Sequence, residues 1–169
     1  MQQVMVRNRK KQITNLTKIL LLMICAFEPI QSSFADINDP FTDLRGKWKG
    51  TGLMTLKDGT RYRLNCTSQY TGSATQLVLV INCTSSFNKI EMNAKLSEFA
   101  GHLRGVWEEK TYRALGTISG KISEKKISFR IAGNMWGKMI VSYSMNKQKV
   151  SIETRGIPLE TVKINMKRR

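Results

Sequence analysis

The chain has 169 residues, of which 28 are Lys or Arg, 12 are Asp or Glu and one is His, giving a formal net charge of +16. A single histidine excludes most metal-binding and catalytic-triad arrangements, and this length leaves room for one globular domain rather than two. A strongly positive field favours anionic partners, such as lipid headgroups, phosphate-bearing glycolipids or nucleic acid, and the alternative is that the charge serves solubility or reflects a lysine-rich composition.

Residues 1–35 are predicted to be a cleaved signal peptide. Basic residues precede an apolar run from Ile19 to Phe27, which is too short to cross a bilayer as a helix. Small residues at Ser33 and Ala35 match the pattern that a signal peptidase reads, so we predict cleavage after Ala35 and a periplasmic or secreted protein. Lipidation of Cys25 is the alternative, and the bulky residue before it argues against that processing.

After a lead-in over residues 36–45, one β-barrel domain is predicted over residues 46–169. Apolar and polar residues alternate there in short runs, separated by clusters of turn-forming residues. The runs predict about ten strands, at residues 46–55, 60–71, 76–85, 89–97, 102–109, 112–122, 126–133, 138–145, 149–155 and 161–168. Short connections indicate an antiparallel up-and-down meander, and hiding its edges requires closure. The predicted fold class is all-β, with about 8–10 strands closed into a barrel or strongly coiled sheet after an N-terminal signal helix.

Two cysteines remain after the predicted cleavage, Cys66 in the second strand and Cys83 in the third. A hairpin centred between Ala74 and Thr75 places them directly opposite each other. A shift of one residue would place them on opposite faces of the hairpin. The hydrophobic pattern and the oxidising compartment therefore both predict a disulfide between them.

The apolar faces of the strands are predicted to form the barrel interior. Candidate residues for a plug or a lumen lining are Trp48, Trp107, Tyr62, Tyr70 and Arg168. Glycines also fall on this face, at positions 50, 52, 105, 116 and 120. They would either leave room for a ligand or let the strands coil tightly around a packed interior. We expect the aromatic residues on this face rather than in a basic groove, which argues against nucleic acid as a partner.

The stretch from Asp39 to Trp48 resembles the start of a lipocalin-type barrel, where a short helical turn precedes a G-x-W motif. This resemblance implies an arginine near the end of the last strand that packs over the tryptophan. Either Arg168 or Arg169 would fill that role.

The motif G-x-W-x-G-x-G at residues 46–52, with a cysteine pair flanking the next hairpin and a later G-x-W at 105–107, resembles small exported proteins of α-proteobacteria. That resemblance implies a β-barrel in the cell envelope and no established activity. The early disulfide hairpin and the terminal arginine also resemble bacterial barrel inhibitors of metalloproteases, which implies that residues 36–40 would enter an enzyme cleft.

Catalytic patterns are missing from the sequence. Glu108 and Glu109 are adjacent, so on a strand they point to opposite faces and cannot act together on one substrate. His102 falls beside a predicted turn, where we expect it to be solvated. Since the sequence contains no phosphate-binding glycine loop, nucleophile elbow or zinc spacing, we predict a non-enzyme without a cofactor or a metal.

The positive charge is predicted to lie on the outer face. From Asp36 onward, 23 Lys and Arg stand against 11 Asp and Glu, which leaves a net charge of about +12. Candidate contacts to an anionic surface are Lys47, Lys49, Arg61, Arg63, Lys125 and Lys126. The predicted function is binding of a small apolar or amphipathic ligand or of an anionic envelope component, such as a lipid or glycolipid. The alternative is a protein-binding module, such as a protease inhibitor or an envelope assembly factor.

Overall fold

The computed structural model describes residues 39–169. The predicted signal peptide and its cleavage site lie outside those residues, and the predicted domain boundaries stay predictions. Within residues 39–169, no helix is long and apolar enough to cross a membrane. The strands are β1 (Gly46–Leu56), β2 (Arg61–Gly72), β3 (Gln76–Thr84), β4 (Lys89–Phe99), β5 (His102–Glu109), β6 (Ala114–Ser123), β7 (Lys126–Gly133), β8 (Trp136–Tyr143), β9 (Lys147–Arg155) and β10 (Leu159–Arg168).

The ten strands form a closed antiparallel barrel, as the alternation of apolar and polar residues predicts. Each strand pairs with its neighbours in sequence, and β10 returns to pair with β1, where Trp48 lies opposite Arg168. Inward side chains form one continuous apolar core, while outward positions are mostly polar and exposed. Closure leaves no unpaired edge strand in the barrel.

The hairpin of β2 and β3 has the predicted register. Cys66 lies opposite Cys83 and the two form a disulfide, with a Cα–Cα distance of 4.1 Å. Tyr70 pairs with Leu79 on the same inward face. The predicted disulfide is therefore confirmed, and it lies inside the barrel wall, since both cysteines are buried.

The β8–β9 hairpin differs from the prediction, which placed Met145 on the apolar face of a strand. β8 ends at Tyr143, and the Ser144 amide donates a hydrogen bond to the Lys147 carbonyl oxygen, closing a tight turn. Met145 lies in this turn and is 66% exposed. Because β9 begins at Lys147, Gln148 becomes an inward residue, and it is buried.

The inward glycines are positions where neighbouring strands approach each other closely. A Cβ atom at Gly116 would lie 1.8 Å from the Ala132 carbonyl oxygen, and one at Gly50 would lie 1.9 Å from that of Asn165. A carbonyl oxygen also lies within 2.5 Å of the Cβ position at Gly52, Gly105 and Gly120. Backbone fills the space that a side chain would take, so these glycines support tight coiling rather than extra lumen volume.

The expectation that the aromatic residues lie on the apolar face is wrong for four of them. Trp48, Tyr70 and Trp107 are buried, whereas Phe87, Phe99, Tyr112 and Trp136 are exposed. Phe87 and Tyr112 occupy turns, where period-two alternation does not apply. Phe99 and Trp136 stand at strand ends on outward positions.

Candidate ligand-binding barrel

The two ends of the barrel differ. The closed end is the one at which β1 begins and β10 ends, and residues 39–45 lie across it. The open end carries the five hairpin turns at residues 57–60, 85–88, 110–113, 134–135 and 156–158.

The lead-in segment seals the closed end. Residues 40–44 form a turn whose Phe41 and Leu44 side chains are fully buried against the core. The Trp48 indole Nε1 donates a hydrogen bond to the Leu44 carbonyl oxygen at 2.9 Å, and the Tyr143 hydroxyl donates one to that of Pro40 at 3.0 Å. Burial, together with nearby carboxylates, raises the pKa of Tyr143 to about 12, so this hydroxyl stays protonated.

Arg168 holds the lead-in segment against the barrel. Its guanidinium carbon lies 4.5 Å from the centroid of the Trp48 ring, within cation–π range. The same guanidinium donates hydrogen bonds to the carbonyl oxygens of Asp43, Arg45 and Met145. The contact that the lipocalin resemblance implies is thus made by Arg168, and the alternative Arg169 is exposed.

The lining of the open end is apolar and only partly buried. Tyr62, predicted as a lining residue, lies here, and its ring packs edge-on against Phe87 with 5.7 Å between the centroids. Partly buried apolar residues that pack against the core at this end are Tyr62, Ile90, Met92, Ala114, Met135, Ile152 and Leu159. Below them the inward side chains are buried. Among inward apolar residues, solvent therefore reaches those at the open end, which we call the mouth, and at the closed end it reaches Ile122.

Trp107 is part of the wall rather than a free lumen residue. Its ring crosses Gly116, and its Nε1 donates a hydrogen bond to the Ala132 carbonyl oxygen at 3.2 Å. A Cβ at Gly116 would lie 2.8 Å from this nitrogen. The Trp107 ring therefore packs directly on Gly116, and the indole cannot change its rotamer without losing this packing.

A polar pair lies inside the closed half of the barrel. The Gln148 side-chain Nε2 donates a hydrogen bond to the Tyr70 hydroxyl at 2.8 Å, and both residues are buried. Burial raises the pKa of Tyr70, which keeps its hydroxyl protonated. The Gln148 Oε1 has no partner among the residues that the structure describes. If the side-chain amide of Gln148 were flipped, its nitrogen would be the unpaired atom instead of its oxygen. In either orientation one polar atom of Gln148 stays free to bind a water or a ligand.

The two adjacent glutamates point to opposite faces, as their spacing predicts. The buried Glu109 carboxylate accepts hydrogen bonds from the backbone amides of Glu91, Thr111 and Tyr112, at 2.8, 3.2 and 2.7 Å. The exposed Glu108 accepts one from the Asn93 side chain. Glu109 therefore holds the β5–β6 turn in place, which is a structural task. His102 is exposed, and no group of residues in the described range could hold a metal ion.

The candidate anion contacts divide among three places. Lys47 and Lys49 belong to a set of exposed cations on β1, β10 and β9 that we call the lysine face: Lys47, Lys49, Lys147, Lys149, Lys163, Lys167 and Arg169. Arg61 and Arg63 lie on β2 toward the open end. The β6–β7 turn carries Lys125 and Lys126 on the other side of the barrel, where Lys125 pairs with Asp43 at 2.9 Å.

Two grooves mark the outer wall. The larger, of about 480 Å³, lies beneath the exposed Trp136 and is flanked by Arg130, Lys138 and Arg155. The smaller, of about 330 Å³, lies over Trp107. Neither groove could be predicted from the sequence, because each depends on the way separate strands are brought together.

The fold has relatives among solved structures, although no protein-family model and no curated protein sequence matches the chain. Rv2717c from M. tuberculosis is similar with a TM-score of 0.65 and 12% identity, over 80% of this chain and 98% of that one. The S-type phycobiliprotein lyase CPES from Guillardia theta is similar with a TM-score of 0.55 and 8% identity, over 76% of this chain and 89% of that one. At these identities the likeness shows the barrel fold alone.

Proposed function

We propose that the protein is an exported, non-enzymatic binding protein that takes the apolar part of a small amphipathic ligand into the open end of its barrel. The observation that carries this proposal is the asymmetry of the barrel. One end is sealed by the lead-in turn, Trp48 and Arg168, while apolar lining residues at the other are partly exposed. Burying these partly exposed apolar side chains under a ligand is favourable, because it removes apolar surface from water.

The ligand site is shallow rather than deep. Large side chains fill the closed half, and the inward glycines add no volume there. The buried Gln148–Tyr70 pair lies in the closed half, so the unpaired Gln148 amide atom is out of reach of a ligand held at the mouth. A ligand with an apolar body and a polar tip suits this shallow site better than a pure hydrocarbon, because its polar tip can stay in water.

Export and the lack of catalysis are supported by the chain itself. The Cys66–Cys83 disulfide is consistent with an oxidising compartment. One fold neighbour is named a lyase, so the same architecture serves an enzyme elsewhere. In this chain, the carboxylates at the mouth are exposed, ion-paired with lysines or occupied by backbone amides, which argues against a catalytic task for them.

The test is binding of cis-parinaric acid, whose fluorescence rises in apolar sites, to the exported and oxidised protein. Ile152→Trp should fill the mouth and weaken binding about tenfold or more, since it removes the space for the ligand. Ile122→Trp is the matched control, because Ile122 is also a partly buried inward isoleucine but lies at the closed end. Equal binding by both folded variants and the parent would contradict a site at the mouth.

A second candidate function is binding of an anionic envelope component to the lysine face. Lys49, Lys167 and Lys147 lie directly opposite one another on three adjacent strands. Like charges in such positions destabilise a sheet, and no ion pair in the described part of the chain neutralises these three. An anion bound across them would remove this repulsion.

Retention on immobilised heparin, a polyanion, tests this second function. The variant K49E/K147E/K167E should elute at clearly lower salt than the parent, because counterion release scales with the number of contacts. The control K95E/R104E/K121E makes the same charge change on β4, β5 and β6, on the opposite wall. Equal losses in the two variants would mean that only net charge matters and that the lysine face is not a site.

A further inference from the structure

Three exposed aromatic residues lie around the open end. Phe87, Tyr112 and Trp136 are 78%, 62% and 65% exposed, and we call them the aromatic arc. Phe87 lies in the β3–β4 turn, Tyr112 lies in the β5–β6 turn, and Trp136 is the first residue of β8, directly after the β7–β8 turn. Large apolar side chains exposed at one end of a protein mark an interaction surface.

Hydrogen bonds hold two of these aromatic residues in their exposed positions. In the β3–β4 turn, the Ser85 hydroxyl oxygen accepts hydrogen bonds from the amides of Phe87 and Asn88 at 3.3 and 2.9 Å. In the β5–β6 turn, the buried Glu109 carboxylate accepts the Tyr112 amide at 2.7 Å. Both turns are therefore fixed by their own side chains, so binding through them costs little conformational entropy.

Cations accompany each member of the arc. Arg155 lies opposite Trp136 in the β8–β9 ladder, and Arg113 follows Tyr112. Lys89 and Lys110 contact the same Glu91 carboxylate at 3.2 and 3.4 Å, so one acid is shared by two bases. The surroundings of the arc thus keep an excess of positive charge, which complements an anionic partner.

We propose that the open end docks on an anionic lipid bilayer, with the aromatic arc in the headgroup region and these cations against lipid phosphates. Two of the side chains project from turns and Trp136 projects from the start of β8, and a deformable lipid surface can receive all three without a shape-matched partner. Aromatic side chains favour the membrane–water interface, and each nearby Lys or Arg adds attraction to anionic lipid. Docking would bring the apolar mouth against the lipid, although the docking itself requires no ligand in the barrel.

The experiment is co-sedimentation of the oxidised protein with vesicles of phosphatidylglycerol and phosphatidylcholine in equal parts, compared with phosphatidylcholine alone. The parent should bind the anionic vesicles, and F87S/Y112S/W136S should bind them about tenfold or more weakly. The control F99S/M145S removes two exposed apolar residues from the closed end and should bind like the parent. All of these positions are exposed, and circular dichroism verifies that each variant folds.

Tryptophan fluorescence gives a second readout. Trp136 is exposed whereas Trp48 and Trp107 are buried, so vesicle binding should shift the emission to shorter wavelength in the parent and not in Trp136→Phe. Vesicle binding that survives loss of the arc, or that disappears only in K49E/K147E/K167E, would overturn docking by this end. Cis-parinaric acid in vesicle-free solution separates the two proposals, because Y112S/W136S, which leaves the Tyr62–Phe87 contact in place, should still bind it if the mouth is a ligand site.

Discussion

Replacing Arg168 with Met should open the seal at the closed end. The substitution keeps an apolar stem over Trp48 but removes the cation–π contact and the hydrogen bonds to three carbonyl oxygens. A charged hydrogen bond contributes roughly 1.5–3 kcal/mol and a partly exposed cation–π contact roughly 1 kcal/mol. Because one of the three bonds is exposed and water can replace part of the others, we expect a net loss of about 3 kcal/mol.

Thermal unfolding followed by circular dichroism measures this loss, with the disulfide intact in every sample. For a domain of this size, about 3 kcal/mol corresponds to a decrease in Tm of roughly 10 °C. Arg169→Met is the matched control, because Arg169 is exposed and should change stability by no more than about 0.5 kcal/mol. Equal Tm values for the two variants would refute the assignment of the seal to Arg168.

Three further predictions concern the wall of the barrel. Reducing the Cys66–Cys83 disulfide, which closes a separation of 17 residues, should lower the free energy of unfolding by about 3 kcal/mol in urea titrations; a smaller change would mean that the unfolded chain is already restrained. Gly116→Ala should lower the free energy of unfolding by about 2 kcal/mol or more, and Gly137→Ala should lower it by less, because the added Cβ atoms would lie 1.8 and 2.7 Å from carbonyl oxygens. A lower Tm for Gly137→Ala than for Gly116→Ala would contradict the role of close strand approach. The pKa of Tyr143 is raised in the folded protein, so the protonated hydroxyl stabilises the fold fully below pH of about 10, and this stabilisation is lost as pH rises toward 12. Tyr143→Phe should therefore flatten the decline in Tm between these two pH values.

The fold could be predicted because each strand carries its own signal. Period-two alternation fixes which face of a strand is buried, and the cysteine positions fix the register of the β2–β3 hairpin, which the structure reproduces pair for pair. The same reasoning fails outside regular strands. Met145 continued the alternation of β8 in sequence, but a tight turn already closes at Ser144.

The candidate site was less predictable, because it depends on which residues share an end or a wall. Phe87 and Tyr112 lie in turns, so the alternation of the flanking strands says nothing about their exposure. Lys49 and Lys147 are distant in sequence, and only the pairing of β10 with both their strands makes them neighbours. Gln148 was missed because its strand begins two residues earlier than the hydrophobic pattern indicates.

The pairing of β1 with β10 also sets the order in which the barrel can fold. The nine other strand pairs are hairpins between neighbours in sequence, and an isolated hairpin forms in about 1–10 μs. Closure must instead bring together the two ends of the domain, so it has a higher entropic cost and we expect it to be the slow step. Until closure, β1 and β10 both present unpaired backbone to other chains. A newly made chain would therefore aggregate most readily in this interval, and a chaperone that covers either strand would increase the yield of folded barrel.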